Sequence, residues 1–200
     1  MASKKGSAFE RKICKQLSMW WSDGSDDAVF WRSDSSGARA TSRGKKGKKT
    51  FGQYGDIQAT NPIGQPLIDC CCIELKRGYK KWSFLDTIDK GKRNVKQVVE
   101  KFFDQVLKDR QASEAVWAVL IAKRDRRQPI IAIPKSMFLQ IHDYYGTTPE
   151  VQNHLTISRV TGNQEYQKWL VLNLDIFLGW CKPFFFKDVA RAKKAGRIVQ

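Results

Sequence analysis

The chain has 200 residues, of which 42% are hydrophobic, and this is enough for one compact domain with a core of its own. Its formal net charge of +16 favours a polyanionic partner, with nucleic acid first and an anionic membrane surface second. The sequence begins without the apolar stretch of a secretory signal, and its longest strongly apolar run, 115–122, is too short to span a bilayer. Five cysteines, three of them consecutive, fit neither a disulfide framework nor a C-x-x-C zinc site, so we predict small buried thiols in a reducing cytoplasm.

The first predicted element is a helix that begins at Ser7 and has one apolar face. Ser7 and Glu10 have the S-x-x-E spacing of a capping box. At about 100° per residue, the apolar side chains from Phe9 to Trp21 share one arc, and Glu10 falls inside it. Glu10 therefore has two interpretations: a carboxylate that closes the capping box, or one that points inward toward a site.

A basic segment, 33–53, follows a short predicted strand at 28–32. It is rich in Ser, Gly, Arg and Lys and has no acidic residue between Gly37 and Thr50, which predicts a mobile surface loop. Such a loop either is a solvated segment without a role or grips phosphates, where each cation displaces a counterion. Its cationic side chains between Gly37 and Thr50 are Arg39, Arg43, Lys45, Lys46, Lys48 and Lys49.

Two acids and a lysine mark the centre of the chain. Asp56 begins a short predicted strand after Gly55, and residues 68–76 read as the next strand of a hairpin. Side chains two apart in a strand share a face, so Glu74 and Lys76 project together from an apolar strand. Burying them unpaired would be costly, so they need each other, a metal or a ligand. The simplest interpretations are a structural Glu–Lys pair and a strand-end aspartate; the alternative is a metal that Asp56 and Glu74 share.

The remainder of the chain predicts alternating helices and strands. A largely helical segment, 84–107, has an apolar face from Val95 to Val106 with Gln105 at its edge. Strands are predicted at 115–122, 129–133, 154–160 and 168–174, and helices at 134–145 and 175–180. Residues 187–197 read as a frayed basic tail, with contact to nucleic acid as the alternative. A basic and aromatic stretch just past the central strand contains Arg77, Lys80, Lys81 and Trp82.

Taken in order, Glu10, Asp56 and Glu74-Leu75-Lys76 resemble the PD-(D/E)XK nuclease superfamily. In that family a first-helix Glu, a strand Asp and a (D/E)-x-K on the following strand surround one or two Mg²⁺. The short sequence segments around these residues are most similar to those of phage and prophage endonucleases, including junction-resolving enzymes. The matching pieces, within residues 6–133, are G-S-A-F-E at 6–10, S-G-A-R-A at 36–40, Y-G-D-I at 54–57, I-E-L-K-R-G at 73–78 and F-F-D-Q at 102–105. One departure is that Gly55, not proline, precedes Asp56.

The resemblance implies one nuclease domain over residues 1–200. Its fold would be an α/β, restriction-endonuclease-like core with a central mixed sheet flanked by helices. It also implies Mg²⁺-dependent hydrolysis of DNA, with Mn²⁺ as a substitute. Asp56, Glu74 and the Leu75 carbonyl would be metal ligands, and Glu10 would hold a second metal or its water. Lys76 would orient the attacking water or stabilise the transition state.

The same resemblance assigns contacts with DNA to groups around that centre. Gln105 would position water or phosphate as a further catalytic group. The expected DNA-binding side chains are Arg32, Ser36, Arg39, Arg43, Lys45, Lys46, Lys48, Lys49, Arg77, Lys80 and Lys81. The expected location is the cytoplasm of the bacterial host of a phage or prophage, with DNA and no membrane as partner; a homodimer is one assembly that fits.

Several alternatives to this activity stay open from the sequence. Junction-resolving, nicking and restriction-like cleavage all fit. A DNA-binding protein that does not cut would be expected to lose a carboxylate or Lys76, and all are present; an RNA-binding or ribosome-associated protein would leave the acids unexplained. His142 and His154 form neither a His-centred ββα-metal motif nor a pair of H-x-T motifs, and no G-x-x-x-x-G-K-[ST] loop indicates an ATP site.

Overall fold

The computed structural model describes residues 4–33, 54–79, 82–89, 95–149, 155–160 and 166–197, with only the backbone of residues 4, 5, 158–160 and 166. The described α-helices are α1 (Lys4–Trp21), α2 (Gln65–Cys70), α3 (Val98–Ser113), α4 (Lys135–Tyr145), α5 (Leu174–Trp180) and α6 (Pro183–Lys194). The strands are β1 (Phe30–Arg32), β2 (Ile57–Ala59), β3 (Cys71–Arg77), β4 (Trp117–Lys123), β5 (Ile130–Pro134), β6 (Leu155–Val160) and β7 (Tyr166–Asn173). The predicted basic loop lies outside the described residues, and so do its candidates Ser36, Arg39, Arg43, Lys45, Lys46, Lys48 and Lys49, as well as Lys80 and Lys81.

A five-stranded mixed sheet, in the order β3-β4-β5-β7-β6, forms the centre of the molecule. β3 and β4 are parallel over their full length, from Cys71 opposite Trp117 to Arg77 opposite Lys123, and the other neighbours are antiparallel. Parallel neighbours need a crossover connection, and α3 supplies it between β3 and β4. The predicted α/β class with a central mixed sheet flanked by helices is confirmed.

The two faces of the sheet are covered by separate apolar clusters. On one face Ile73 and Leu75 of β3 pack with α1, α4, α5 and α6. On the other face α3 contributes its buried apolar side chains and packs against β4, β5 and β7. Because side chains alternate along a strand, Glu74 and Lys76 lie on the face that α3 covers. None of the helices in the described ranges is both long and apolar enough to cross a membrane.

The connection that precedes β3 is not the predicted hairpin. β2 pairs antiparallel with β1 in a separate two-stranded sheet. The Asn61 side chain then accepts a hydrogen bond from Ile63 N and caps a 3₁₀ turn, and Pro66 lies in the first turn of α2. Residues 68–70, predicted as strand, are therefore helical, and β3 begins at Cys71.

The predicted helix over 84–107 is wrong for the described residues before Val98. Residues 85–87 form a 3₁₀ turn, and α3 begins only at Val98. The reason is local: Gln97 and Glu100 form a capping box that satisfies the first free N–H groups of the helix. Val95, predicted on the apolar face, lies before the helix and is exposed.

Both ends of the chain are more helical than predicted. α1 begins at Lys4 instead of Ser7, so Glu10 is not in the first turn and the predicted capping box is absent. Residues 187–194, predicted as a frayed tail, belong to α6, because its Phe185, Phe186 and Val189 are buried against the sheet. All five cysteines are free and buried, as predicted; two of them are Cys14 in α1 and Cys181 at the end of α5.

Candidate active site

β3 brings Glu74 and Lys76 together beneath α3. Glu74 is 1% exposed and Lys76 is 7% exposed, so neither charge is hydrated by bulk water. Lys76 Nζ donates a hydrogen bond to Glu74 Oε1 and another, 2.7 Å long, to Gln105 Oε1. The same Nζ lies 5.9 Å from the centre of the Phe102 ring. The predicted Glu–Lys pair is therefore present, and Gln105 is part of it.

Asp56 is held against β3 by two backbone contacts. Its N–H donates to Ile73 O and its Oδ2 accepts from Leu75 N, each at 2.8 Å. Gly55 makes this approach possible: its φ is +76°, and a Cβ at this position would lie 2.7 Å from Ile73 O. Proline fixes φ near −65° and does not fit this turn, which explains why glycine replaces the proline of the family name.

Burial and mutual repulsion perturb the acids of this group. Burial, and then the charge of Asp56, raises the pKa of Glu74 to about 8, although Lys76 opposes the shift. Burial also raises the pKa of Asp56, against the Leu75 N–H bond and Lys76. For Lys76, burial lowers the pKa, but Glu74 and Asp56 outweigh it and raise the pKa above its ordinary value. Two carboxylates thus share one ammonium, so a further positive charge beside them would be electrostatically favourable.

The donor set suits a hard divalent cation. In the described ranges, no group of three or more His, Cys, Asp or Glu side chains is arranged to hold a metal. The available donors are instead the two buried carboxylates of Asp56 and Glu74, which are oxygen ligands of the kind that Mg²⁺ prefers. Leu75 lies beside Asp56 through its N–H; the role of its carbonyl as a ligand stays a prediction.

Glu10 lies on the Asp56 side of the site. Its side chain is 16% exposed, and its Oε2 is 3.4 Å from Arg32 Nη1. The charge of Glu10 is close enough to raise the pKa of Asp56 and of Cys14, after burial as the larger cause in both. Of the two interpretations of Glu10, the structure favours the inward carboxylate. Arg32, predicted to bind DNA, is also the ion-pair partner of Glu10.

Arg77 ends β3 next to the site and has protein partners of its own. Its Nη2 is 3.8 Å from Asp125 Oδ1 in the turn between β4 and β5, and its guanidinium lies 5.9 Å from the centre of the Phe9 ring. The pKa of Lys123 is lowered by burial and then by the charges of Arg77 and Lys12, so these cations lie close together. The DNA-binding role of Arg77 stays a prediction, and the basic surroundings support it.

Asp109 is a residue of this site that the sequence analysis missed. It lies one helical turn after Gln105 on α3 and accepts a hydrogen bond from the Gln105 side chain. Burial raises the pKa of Asp109 and Lys76 lowers it, and the charge of Asp109 in turn raises the pKa of Glu74. The i, i+4 spacing of Gln105 and Asp109 was the available signal, because residues four apart are neighbours on a helix surface.

Comparison with known proteins identifies the family. Over residues 1–187 the chain matches the model of a family described as "Phage putative PDDEXK endonuclease". Neither the curated proteins nor the solved structures gave a match. The matched residues include the whole central sheet and the group formed by Asp56, Glu74 and Lys76. With more than nine tenths of its length matched, the chain belongs to this family of phage PD-(D/E)XK endonucleases.

Proposed function

We propose that the protein is a DNA endonuclease that needs a divalent cation, Mg²⁺ in the first place and Mn²⁺ as a substitute. The observation that carries the proposal is the buried group in which Asp56 and Glu74 share the ammonium of Lys76. A purely structural ion pair needs one carboxylate, whereas a second buried carboxylate adds repulsion and a raised pKa. Groups perturbed in this way by burial and a neighbouring charge are typical of functional sites.

Asp56 and Glu74 would hold the cation, with the Leu75 carbonyl as a further oxygen and Glu10 on the side of a second cation or its water. A bound divalent ion supplies charge that neutralises a phosphodiester and acidifies a water molecule. The protein itself provides an excess of buried negative charge, held in place by the Leu75 N–H bond to Asp56. These roles rest on the donor set and on the family.

Lys76 would act on the phosphate or the attacking water. Its ammonium has two protein acceptors, Glu74 and Gln105, so Gln105 keeps it in place when Glu74 is engaged by a cation. A positive group fixed beside the scissile phosphate stabilises the negative charge that develops in the transition state. Gln105 is therefore proposed to position Lys76 as well as water or phosphate.

The DNA itself would be held mainly through its phosphates. The net charge of +16 and the basic segment between Gly37 and Thr50 support this assignment, together with Arg32 and Arg77 beside the site and with Lys80 and Lys81, which follow β3 in the sequence. We further propose that residues 1–200 form one nuclease domain that acts in the cytoplasm of a phage host. Selectivity for branched DNA, a nicking mode and a homodimer are finer predictions of the same assignment.

The direct test is cleavage by the purified full chain of a plasmid, a linear duplex and a four-way junction. We expect products with Mg²⁺ or Mn²⁺, none with a chelator, and binding with little cleavage in Ca²⁺, whose looser coordination positions water poorly. Glu74→Gln and Lys76→Met are the matched inactive controls, because they exclude a contaminating nuclease. Full activity in the chelator would contradict the metal assignment.

A second candidate is a DNA-binding protein on a nuclease fold that does not cut. The observation in its favour is that Glu74 is already paired with Lys76, while no cluster of three metal-binding side chains is present among the residues that the structure describes. It predicts equal DNA affinity with Mg²⁺ and with chelator and no cleavage with any cation. The cleavage assay above therefore separates the two candidates.

A further inference from the structure

A second concave site, of about 930 Å³, lies at the end of the sheet where β4 runs into β5. Ile130 of β5 and Ile157 of β6 form part of its floor, and Trp82 and Phe84, from the segment after β3, form an aromatic wall. Arg124 and Arg127 of the β4–β5 turn also line it. It therefore combines a largely apolar interior with two exposed guanidinium groups and one carboxylate, that of Glu100, which accepts a hydrogen bond from Gln97 N at the start of α3.

This cavity is one aromatic ring away from the catalytic group. Lys76 Nζ lies 5.9 Å from the centre of the Phe102 ring, and the Phe102 ring centre lies 5.6 Å from that of Trp82. Trp82 continues to Phe84 with a ring separation of 5.7 Å, at an edge-to-face angle of 87°. Phe102 and Trp82 are both buried, at 3% and 4% exposure, so these rings form the wall that separates the two places, and a bound strand would reach the cavity over the β4–β5 turn.

The β4–β5 turn connects the two places from the other side. Asp125 in this turn lies 3.8 Å from Arg77, at the end of β3 beside the site. Its neighbours Arg124 and Arg127 line the cavity, whereas Arg126, with a φ of +60°, is exposed and is not one of the lining residues. The positive charges of this turn therefore extend from the catalytic end of β3 to the cavity.

The lining matches an aromatic base that carries a phosphate. Rings of Trp and Phe offer flat surfaces on which a base can stack, and arginine both stacks and pairs with phosphate. The Trp82 indole N–H is buried and has no hydrogen-bond partner within the described residues, so a base edge would pair with it only after the lining side chains move apart. A purely apolar occupant would leave both arginines unused, and a bare phosphate would leave the rings unused.

We propose that this cavity binds an unpaired nucleotide of the DNA strand next to the scissile phosphate, so that the preferred substrate carries a single-stranded segment beside a duplex. The inference rests on the proposed nuclease function, because it places the nucleotide on the strand that occupies the catalytic group. It adds what the family does not provide, namely a class of DNA structure and the side chains that select it.

The test compares two DNAs that differ only in an unpaired segment. The full chain is titrated in chelator, which prevents cleavage, against a duplex with a short single-stranded flap and against the same duplex with blunt ends, and affinity is measured by fluorescence anisotropy. We expect the flap to improve affinity roughly tenfold, within the range measured for stacking of a base on aromatic side chains. A 2-aminopurine in the flap should change its fluorescence on binding because its stacking partner changes.

The matched variants lie in one turn. Arg124→Ala and Arg127→Ala should each remove most of the preference for the flap, whereas Arg126→Ala removes the same charge and should keep it. Trp82→Phe, which retains a ring and loses the N–H, should reduce the preference by less than either of these. Thermal melts of all four variants establish that they are folded.

Equal affinity of the wild-type chain for the two DNAs would overturn the inference, and so would an equal effect of the three arginine variants, since this would indicate general electrostatics. A dimer in size-exclusion chromatography that Arg124→Ala dissociates would also overturn it, because the cavity would then be an interface between copies. None of these outcomes depends on catalysis: metal-dependent cleavage of the blunt duplex tests the proposed nuclease function separately.

Discussion

At the scale of single residues, Lys76 is the positive charge for two carboxylates. It donates a hydrogen bond to Glu74 and lowers the pKa of Asp56, which is itself only 6% exposed. Removing one member of a buried ion pair leaves the other charge uncompensated and is strongly destabilising. The two members of this pair are not equivalent, however, because Glu74 has a second carboxylate beside it, whereas no cation of the described residues is among the main groups that shift the pKa of Lys76.

We therefore predict opposite effects of two substitutions on stability in chelator at about pH 9, where Glu74, with a pKa of about 8, is ionised and Lys76 is still charged. Lys76→Met should lower the free energy of unfolding by about 3 kcal/mol, because Asp56 and Glu74 then repel each other without a counter-charge. Glu74→Gln should unfold at or above the wild-type temperature, since the repulsion with Asp56 is removed. Urea and thermal unfolding measure both, and both variants should lose cleavage.

The control is Lys96→Met, which removes the lysine of the exposed Lys96–Asp104 pair. A surface pair contributes about 1 kcal/mol or less, so this variant should melt close to wild type. Mg²⁺ should restore part of the stability of Lys76→Met by supplying the missing positive charge. Equal destabilisation by Lys76→Met and Glu74→Gln would instead indicate an ordinary structural ion pair.

Glu10 offers a second test at a single position. As Glu10 is not in the first turn of α1, Glu10→Gln removes no helix cap, and its melting temperature should stay near that of the wild type. If the carboxylate belongs to the site, the rate of cleavage should fall by roughly 10²-fold, as for loss of a positioned catalytic group. Arg32→Gln, which removes the ion-pair partner, should act mainly on KM through DNA binding. Unchanged cleavage by Glu10→Gln would return the residue to a structural role.

At the scale of elements, α3 carries the residue that orients Gln105. Gln105 Oε1 accepts from Lys76 and the Gln105 side chain donates to Asp109, so Asp109 fixes which end of the amide faces the ammonium. We predict that Asp109→Asn lowers kcat about tenfold with little change in KM, since a neutral amide no longer imposes that orientation. Steady-state rates over a range of DNA concentrations measure the two constants separately.

Two further variants of α3 distinguish orientation from general damage. Lys108→Ala, at the exposed neighbouring position, should leave kcat within about twofold of wild type, as expected for a solvated side chain. Asp109→Glu keeps the acceptor and should recover part of the rate. Wild-type kcat in Asp109→Asn would exclude a positioning role for Asp109.

The sequence predicted the elements whose signal is periodic and local. The apolar residues of α1 repeat on one face, and the structure confirms this helix. The strand with Glu74 and Lys76 and the strand after α3 are largely apolar runs, and the structure confirms both. Residues 68–70 were missed because their apolar character continues into β3, and apolar runs do not separate helix from strand. The helix α6 was missed because its many basic residues suggested an exposed tail, although Phe185, Phe186 and Val189 in the same segment are buried.

The candidate active site could be assembled only in part from the sequence. Residue type and order indicated Asp56, Glu74 and Lys76. This motif is read from the sequence alone, so it did not require a correct prediction of the connection between β2 and β3. Their mutual burial and the pKa of Glu74 depend on α3, which is distant in sequence from β3. Asp109 and the Arg124–Arg127 turn have no motif of their own; only packing brings them to the site and to the cavity.

At the scale of the whole molecule, we expect the charge of +16 to be the main determinant of affinity for DNA. Each phosphate contact should add about 0.9 to the slope of log K against log salt concentration. Replacing Lys45, Lys46, Lys48 and Lys49 by Ala should therefore flatten this slope by up to about 3 to 4 units. The loss should be similar for all sequences, because phosphate contacts position a protein without specifying a base.

The control for this prediction is Lys135→Ala with Lys182→Ala, two exposed lysines at the starts of α4 and α6. These helices pack on the face of the sheet opposite α3, so this double variant should leave the slope nearly unchanged. A slope that does not respond to the four substitutions in the basic segment would exclude that segment as the arm that holds DNA.

The buried cysteines can report the order in which parts of the fold open. A thiol reacts with an alkylating reagent as its thiolate, and burial, as the largest cause, raises the pKa of Cys14, Cys70 and Cys72 to about 12. Burial also raises the pKa of Cys181, which lies between α5 and α6. Each therefore reacts only in the moments when its own element opens. The order in which a reagent labels them would report whether α1, the edge strand β3 with the helix before it, or the C-terminal helices separate first.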